Sequence, residues 1–322
     1  MTNRFALDAA SEHPAAEKQT GPEGTVEPEH APVIQMIGVT KRFSGKTVLD
    51  QLNFDLKPGS VTGLLGRNGS GKTTLLKCAL GLQSPQAGLI RLMGENVATL
   101  SGTAKARLGY VPQEITLYSW MKIRQIIDYT RAFYPRWNNS LTEKLLTEWK
   151  LDREAKVGTL STGQTQSLSI LLALGHEPDL LVLDEPVASL DPSARRQFLA
   201  TLLDVAMSGE RTILFSTHIT SDLERVADRV AVLRDGGIIY HDELSNLKDE
   251  VKRLRITTSG SLPDDLKLLP GLLSCESNGQ SAVLSLRGFT PDLLSRFSRQ
   301  WKAQIDVEDL NLEEIFLELH HE

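Results

Sequence analysis

The sequence predicts an α/β protein built on a parallel sheet, followed by a smaller α+β domain. Three observations carry this. Short apolar runs at Val61 to Leu65, Leu180 to Leu183, Thr212 to Phe215 and Val230 to Leu233 are continuous rather than alternating, the pattern of strands buried on both faces. Helical stretches lie between them, and strand–helix alternation of this kind gives a parallel sheet. After Asn246 the pattern changes to strands and helices of a second, shorter unit.

Taken in order, residues 1–32 are rich in Ala, Glu, Pro and Gly. They bury too little apolar surface to offset ordering entropy and are expected to form a disordered tail. Order is expected from Val33, with Val33 to Ile37 as a strand, and the main domain spans 33–245. Val61 to Leu65 leads into a Gly-rich turn. Residues 114–160 read as mostly helical, with Trp120, Trp137 and Trp149, and form a helical insertion, a subdomain reaching to about 165. Pro192 to Met207 is a helix with Asp191 as N-cap and Pro192 at its first position. In the C-terminal domain, 246–322, Leu254 to Thr258 and Ala282 to Leu286 read as strands and Thr290 to Trp301 as a helix. Leu312, Ile315, Phe316 and Leu319 are spaced for one face of a last helix, expected to pack against its own domain.

Bulk properties exclude several classes. A net charge of −6 over 322 residues offers no broad attraction to nucleic acid or anionic lipid, so no nucleic-acid partner is expected. Two cysteines, Cys78 and Cys275, make no disulfide framework and suit a reducing cytoplasm. The longest apolar run, Ile170 to Leu174, is far below the ~18 residues that cross a bilayer. Met1 to Lys18 lacks the apolar stretch of a secretory signal. Any membrane role is therefore expected to come through a partner.

The strongest motif is Gly66-Arg67-Asn68-Gly69-Ser70-Gly71-Lys72-Thr73, followed by Thr74, between a predicted strand and a predicted helix. It matches G-x-x-x-x-G-K-[ST], a phosphate-binding loop. Backbone N–H groups wrap phosphate oxygens and the helix points its positive end at the same anion. Lys72 adds a charge near the terminal phosphates, and the Thr73 hydroxyl can ligate Mg²⁺. A kinase, a GTPase or a motor would share this loop. Leu180 to Leu183 ends in Asp184-Glu185. Alone this reads as an acidic turn. Behind a phosphate loop it places two carboxylates at the C-terminal edge of the sheet, where ligands bind. Asp184 is then a Mg²⁺ ligand, and Glu185 the group that orients and deprotonates water.

The third motif, Leu160-Ser161-Thr162-Gly163-Gln164, is at least a capped helix start, with Ser161 or Thr162 as cap. It also resembles the LSGGQ signature of ABC ATPases, and other segments fall into register with that family over about residues 33–240. The resemblance implies a Q-loop glutamine at Gln113, touching Mg²⁺ and the attacking water, a D-loop at Ser189-Leu190-Asp191, and a switch histidine at His218 on the γ-phosphate. It places Phe43 on the adenine, against the alternative of a core phenylalanine. Ser161, Gly163 and Gln164 would contact ATP held by a second chain. Two departures are Thr162 in place of the middle Gly and the absence of a basic residue in Thr165-Gln166-Ser167. Tyr134-Pro135-Arg136-Trp137 and the segment from Thr217 to Glu224 resemble a bacterial subgroup that serves separate ABC-2-type permeases, generally exporters.

The resemblance thus implies an ATPase that takes ATP and Mg²⁺ and powers a separate transmembrane permease from the inner face of the membrane. It would work as a homodimer or as a heterodimer with a similar subunit. The alternatives are a non-transport ABC ATPase acting on nucleic acid or the ribosome, and an inactive regulatory module. Against the first stand a single phosphate loop and no basic stripe. Against the second stand the intact Lys72, Asp184, Glu185 and His218.

Overall fold

The computed structural model describes residues 31–188, 190–207 and 211–320, so residues 1–30 of the expected tail, and Ser189, lie outside it. Three sheets organise the described chain. The first is antiparallel, in the order β2-β1-β4-β5: β1 (Ile34–Phe43), β2 (Lys46–Leu56), β4 (Ala87–Leu92) and β5 (Glu95–Asn96). The second is six-stranded and contains β3 (Val61–Leu65), β6 (Leu108–Val111), β7 (Leu180–Asp184), β8 (Thr212–Thr217), β9 (Arg229–Arg234) and β10 (Gly237–Glu243). Its order is β10-β9-β3-β8-β7-β6. All neighbours are parallel except β10, which pairs antiparallel at the edge. The third is antiparallel, β12-β13-β11-β14: β11 (Val251–Thr258), β12 (Leu272–Asn278), β13 (Ser281–Arg287) and β14 (Ala303–Asp309).

The continuous apolar runs have a direct explanation in the central sheet. Val61 and Leu65, Leu181 and Leu183, Ile213 and Phe215, and Val230 and Val232 join one core. Their alternating neighbours Leu64, Leu180, Val182, Leu214, Ala231 and Leu233 join another. Each strand is therefore apolar on both faces. One core faces the antiparallel sheet β1–β2–β4 and α1 (Lys72–Ala79). The other faces the helices α3 (Ile123–Arg131), α4 (Asn139–Glu148), α5 (Thr162–Leu174), α6 (Pro192–Met207) and α7 (Thr220–Val226). A short α2 (Gly102–Ala106) precedes β6.

The strands with no such run are the ones the sequence hides. β2 alternates buried Leu49, Leu52, Phe54 and Leu56 with exposed polar residues such as Lys46, Asp50 and Asp55. β4, β5, β6, β10, β12 and β14 are similarly mixed or short.

Behind the central sheet come α8 (Leu244–Glu250), the third sheet, α9 (Pro291–Trp301) and α10 (Leu312–Glu318). The strand order is that of a split βαβ arrangement, with a 3₁₀ turn at Asp264–Leu268 in place of its first helix. Phe297 of α9 packs with Leu254, Ile256, Leu284 and Leu286 on one face of this sheet.

The last helix corrects the expectation that it packs within its own domain. Leu312, Ile315 and Leu319 lie in the core of the main domain, with Leu223, Val226, Tyr240 and Leu247. The reason is the opposite sheet face, which is polar where α10 meets it. There Arg253 donates to Glu314 at 3.1 Å and to Glu318 at 3.2 Å. Ser285 Oγ donates to the same Glu318 oxygen at 2.7 Å. Helix α10 thus gives its acidic side to the C-terminal sheet and its apolar side to the main core. Ile315→Ala, at a site with no exposure, is expected to cost the main domain about 2–5 kcal/mol. Denaturant unfolding followed by the fluorescence of Trp137 and Trp149 checks this, and an unchanged midpoint would contradict the shared core.

Candidate nucleotide site

The site grows out of the C-terminal ends of β3, β7 and β8. β3 stops at Leu65 and α1 starts at Lys72. The loop between them closes on Gly71, whose φ of 109° lies in the left-handed region and where a Cβ would sit 3.0 Å from Val48 Cγ1. Lys72 curls back over the loop and is 7% exposed. Its Nζ donates to Gly66 O at 2.8 Å and lies 3.2 Å from Glu185 Oε1. A buried ammonium is tolerable because both a carbonyl and a carboxylate receive it.

Strands β7 and β8 place Asp184 beside Ser216 in register. Ser216 Oγ donates to Asp184 Oδ1 at 2.7 Å and accepts from Glu185 N at 2.9 Å. Asp184 has no exposure, and its Oδ2 has no hydrogen-bond partner among the described residues. Glu185 has φ 51°, a left-handed conformation that is uncommon for a residue with a side chain and turns the chain sharply at the strand end. Its carboxylate is held from two sides, by Lys72 and by His218 Nδ1 at 2.8 Å from Oε2. Nearby, Thr73 Oγ1 donates to Gln113 Oε1 at 3.3 Å.

Phe43, Asn68, Gly69, Gly71, Lys72, Thr73, Thr74, Gln113, Glu185 and His218 line one cleft of about 500 Å³. A larger depression of about 790 Å³ beside Lys57 and Lys248 is lined by none of the motif residues. Phe43 is 42% exposed, with Lys41 Nζ 4.8 Å from its ring centroid. It is a surface ring at the cleft, not a core residue. Gly66 contributes its carbonyl to Lys72. Arg67 and Ser70 face a neighbouring cleft of about 570 Å³, shared with His320 at the end of α10.

The signature residues are elsewhere. Ser161 caps α5: its Oγ accepts from Gln164 N at 3.2 Å, and Gln164 Oε1 accepts from Ser161 N at 3.1 Å, a capping box. Of the two caps the sequence offered, Ser161 is the one used: its hydroxyl oxygen is engaged, and its proton remains available to donate. Gly163 lies in the same first turn. Asp191 Oδ1 accepts from Ser193 N at 2.8 Å and Ala194 N at 3.1 Å at the start of α6. The Ala194 and Ser193 amides hold its carboxyl below the usual range. Neither Asp191 nor Ser161, Gly163 or Gln164 lines the cleft that holds Lys72.

The aromatics of the helical region divide. Tyr118 (50%) and Trp120 (67%) are exposed, and they continue through Tyr129 to Phe133 as a ridge of rings 5.1–6.0 Å apart. Tyr134 and Trp137 do not share this surface. Tyr134 stacks on His176 at 3.8 Å, and Trp137 packs on the main core with Nε1 donating to Thr142 Oγ1 at 3.0 Å.

A family model for the ABC transporter matches residues 49–188. The Nod factor export ATP-binding protein I of Neorhizobium galegae is 33% identical over 323 residues, covering 97% of this chain and 92% of that protein. The chain belongs to the ABC transporter family. A solved ATP-binding subunit of an ABC transporter is 26% identical, with TM-score 0.62, over 67% of this chain and 92% of that one. A bacterial ABC transporter cassette solved as a dimer shares the fold, with TM-score 0.59 and 21% identity over 66% of this chain and 98% of that one. As a family member, this chain is an ATP-binding subunit that hydrolyses ATP to drive transport. The alternative of a nucleic-acid or ribosome ATPase is not favoured.

Ser216 stands in none of the motifs' assigned roles, yet it touches both acidic residues. Its signal was a polar residue closing the apolar run Ile213-Leu214-Phe215. Ser216→Ala leaves the buried Asp184 without its direct donor, which typically costs about 1–3 kcal/mol. ATP turnover is expected to fall about tenfold, with the affinity for a fluorescent ATP analogue changed far less. Unaltered turnover would remove Ser216 from the site.

Proposed function

We propose that this chain powers export through a separate membrane permease, and that two copies, or one copy and a similar subunit, form its working ATPase. The observation that carries the reading is the separation of the cleft lined by Lys72, Glu185 and His218 from Ser161, Gly163 and Gln164. A site that needs both sets of groups is completed by a second chain. Cassettes of this fold have been solved as dimers. Among the described residues no helix is long and apolar enough to cross a membrane, so the anchor on the inner membrane face is assigned to the permease. The direction of transport follows the export protein of Neorhizobium galegae, and the cargo is chosen by the permease.

The geometry supports a role for each residue. Phe43 offers a ring face for adenine. The loop of Gly66, Arg67, Asn68, Gly69, Ser70 and Gly71, with Thr74, cradles the phosphates with its N–H groups, the Ser70 amide excepted, which donates to Arg67 O at 3.1 Å. A terminal phosphate entering the cleft competes with Glu185 for Lys72, and phosphate wins Lys72 by its higher charge. Glu185 is then released towards the attacking water as its proton acceptor, with His218 on the γ-phosphate. Thr73, Gln113 and Asp184 would hold Mg²⁺. The Oδ2 of Asp184, without a partner among the described residues, is the fit for it, since Mg²⁺ takes few protein ligands and completes its shell with water and phosphate. When bound, it neutralises charge developing on the phosphate oxygens. Ser161, Gly163, Gln164 and Asp191 meet the nucleotide of the opposite chain. The C-terminal domain at 246–322 carries no nucleotide motif and is assigned to control of the ATPase.

Permease docking is assigned to the exposed ridge Trp120–Tyr118–Tyr129–Phe133, since aromatic anchors dominate protein interfaces. The test is a three-variant assay with and without the cognate permease in vesicles. Lys72→Ala should abolish ATP binding. His218→Ala should keep binding and lose about tenfold to a hundredfold in turnover. Trp120→Ala should keep basal turnover and lose the permease-stimulated part. Equal loss of binding in the first two variants contradicts the roles at the nucleotide. Full stimulation of the third moves the docking surface elsewhere.

A further inference from the structure

The switch histidine sits on a short support. His218 follows β8 directly, and α7, which begins at Thr220, has seven residues and no side-chain cap at its N-terminus. A helix this short is not stable alone and takes its position from its neighbours. On one side, Arg195 of α6 donates to Asp222 at 2.6 and 2.8 Å. On the other, Glu224 Oε1 accepts from the backbone N of Leu312 at 3.0 Å and lies 2.8 Å from Lys248 Nζ. Leu312 is the first residue of α10, and Lys248 belongs to α8. Below, Leu223 and Val226 share a core with Leu312, Ile315 and Leu319.

Helix α10 is in turn held at three further points. Arg253 of the C-terminal sheet grips Glu314 and Glu318. Arg234 Nη1, at the end of β9, donates to Leu319 O at 2.5 Å. His320, just past the helix, lines the cleft that carries Arg67 to Ser70 of the phosphate loop. One short helix therefore runs from the support of His218 to the flank of the phosphate loop, with the C-terminal sheet fastened to its outer side.

We propose that Glu224 is a positioning residue for His218, and that the C-terminal domain acts on hydrolysis through the bond from Leu312 N to Glu224. Displacing α10 moves α7, and with it the imidazole that faces Glu185. Misplacement on the scale of 1 Å at a reacting centre is enough to cost one to two orders of magnitude in rate. The inference rests on the assignment of His218 made above, and its test keeps the two apart.

The experiment uses the full chain and four variants: Glu224→Ala, Glu224→Gln, His218→Ala and the double variant Glu224→Ala/His218→Ala. Each is assayed for ATP turnover, affinity for a fluorescent ATP analogue and melting temperature. Glu224→Ala is expected to lower kcat roughly tenfold with nucleotide affinity unchanged within about twofold. Glu224→Gln keeps the acceptor for Leu312 N and should retain most of the kcat. The double variant should be no slower than His218→Ala alone, because the two residues act in series. Multiplicative losses in the double variant would overturn the proposal, as would a kcat loss that Gln does not rescue. An active Glu224→Ala protein beside an impaired His218→Ala protein would also overturn it. A fully active His218→Ala protein would overturn the assignment of His218 itself, and this proposal with it.

Discussion

The site depends on one buried ion pair. Lys72, at the head of α1, has its ammonium between Gly66 O and the Glu185 carboxylate. Removing one partner from a buried pair of this kind typically costs about 3–5 kcal/mol. Glu185 in turn contacts His218, so the ends of three parallel strands meet through one chain of polar contacts. The strands behind them are apolar on both faces, which leaves their C-terminal edge as the place where polar groups can gather. The two cores fix the strands, and the strands fix the distances within the site.

Much of this was legible in the sequence, for a physical reason. A strand buried on both faces must be apolar throughout, so β3, β7, β8 and β9 announce themselves. A phosphate loop needs glycines at fixed spacing, because Gly71 takes a left-handed conformation against Val48. What stayed hidden depends on which surface a residue meets. The strands of mixed polarity, β2 above all, look like coil until a partner sheet covers one face. The face of α10 was visible, but its destination was not, since both candidate surfaces contain leucine. Arg253 and Ser285 decided it by making the nearer surface polar. Ser216 was easily passed over because a polar residue after an apolar run gains a meaning only when the adjoining strand brings Asp184 beside it.

The aromatic residues of the helical region teach the same lesson. Tyr118, Trp120, Tyr134 and Trp137 are alike in sequence, yet two remain exposed and two are half-buried against their neighbours. Trp137 lies against Gly175 so closely that a Cβ there would fall 2.3 Å from its ring, and Tyr134 covers the buried His176. Both therefore secure the far end of α5, whose first turn carries Ser161, Gly163 and Gln164. The exposed pair continues into Tyr129 and Phe133 and is available to a partner.

In the proposed function, one chain carries both halves of an ATP site in places that a second chain must bring together. Light scattering on Glu185→Gln, in ATP and in ADP, tests it most directly. That change removes the proton acceptor and keeps the shape, so ATP should bind and persist. A dimer is expected in ATP and a monomer in ADP, with the dimer lost when Ser161→Arg is added, because a long cation blocks the phosphate contact. For assembly with a similar subunit, the same result is read on the mixture. A monomer under every condition, from a parent protein with full ATPase activity, would contradict the two-chain site.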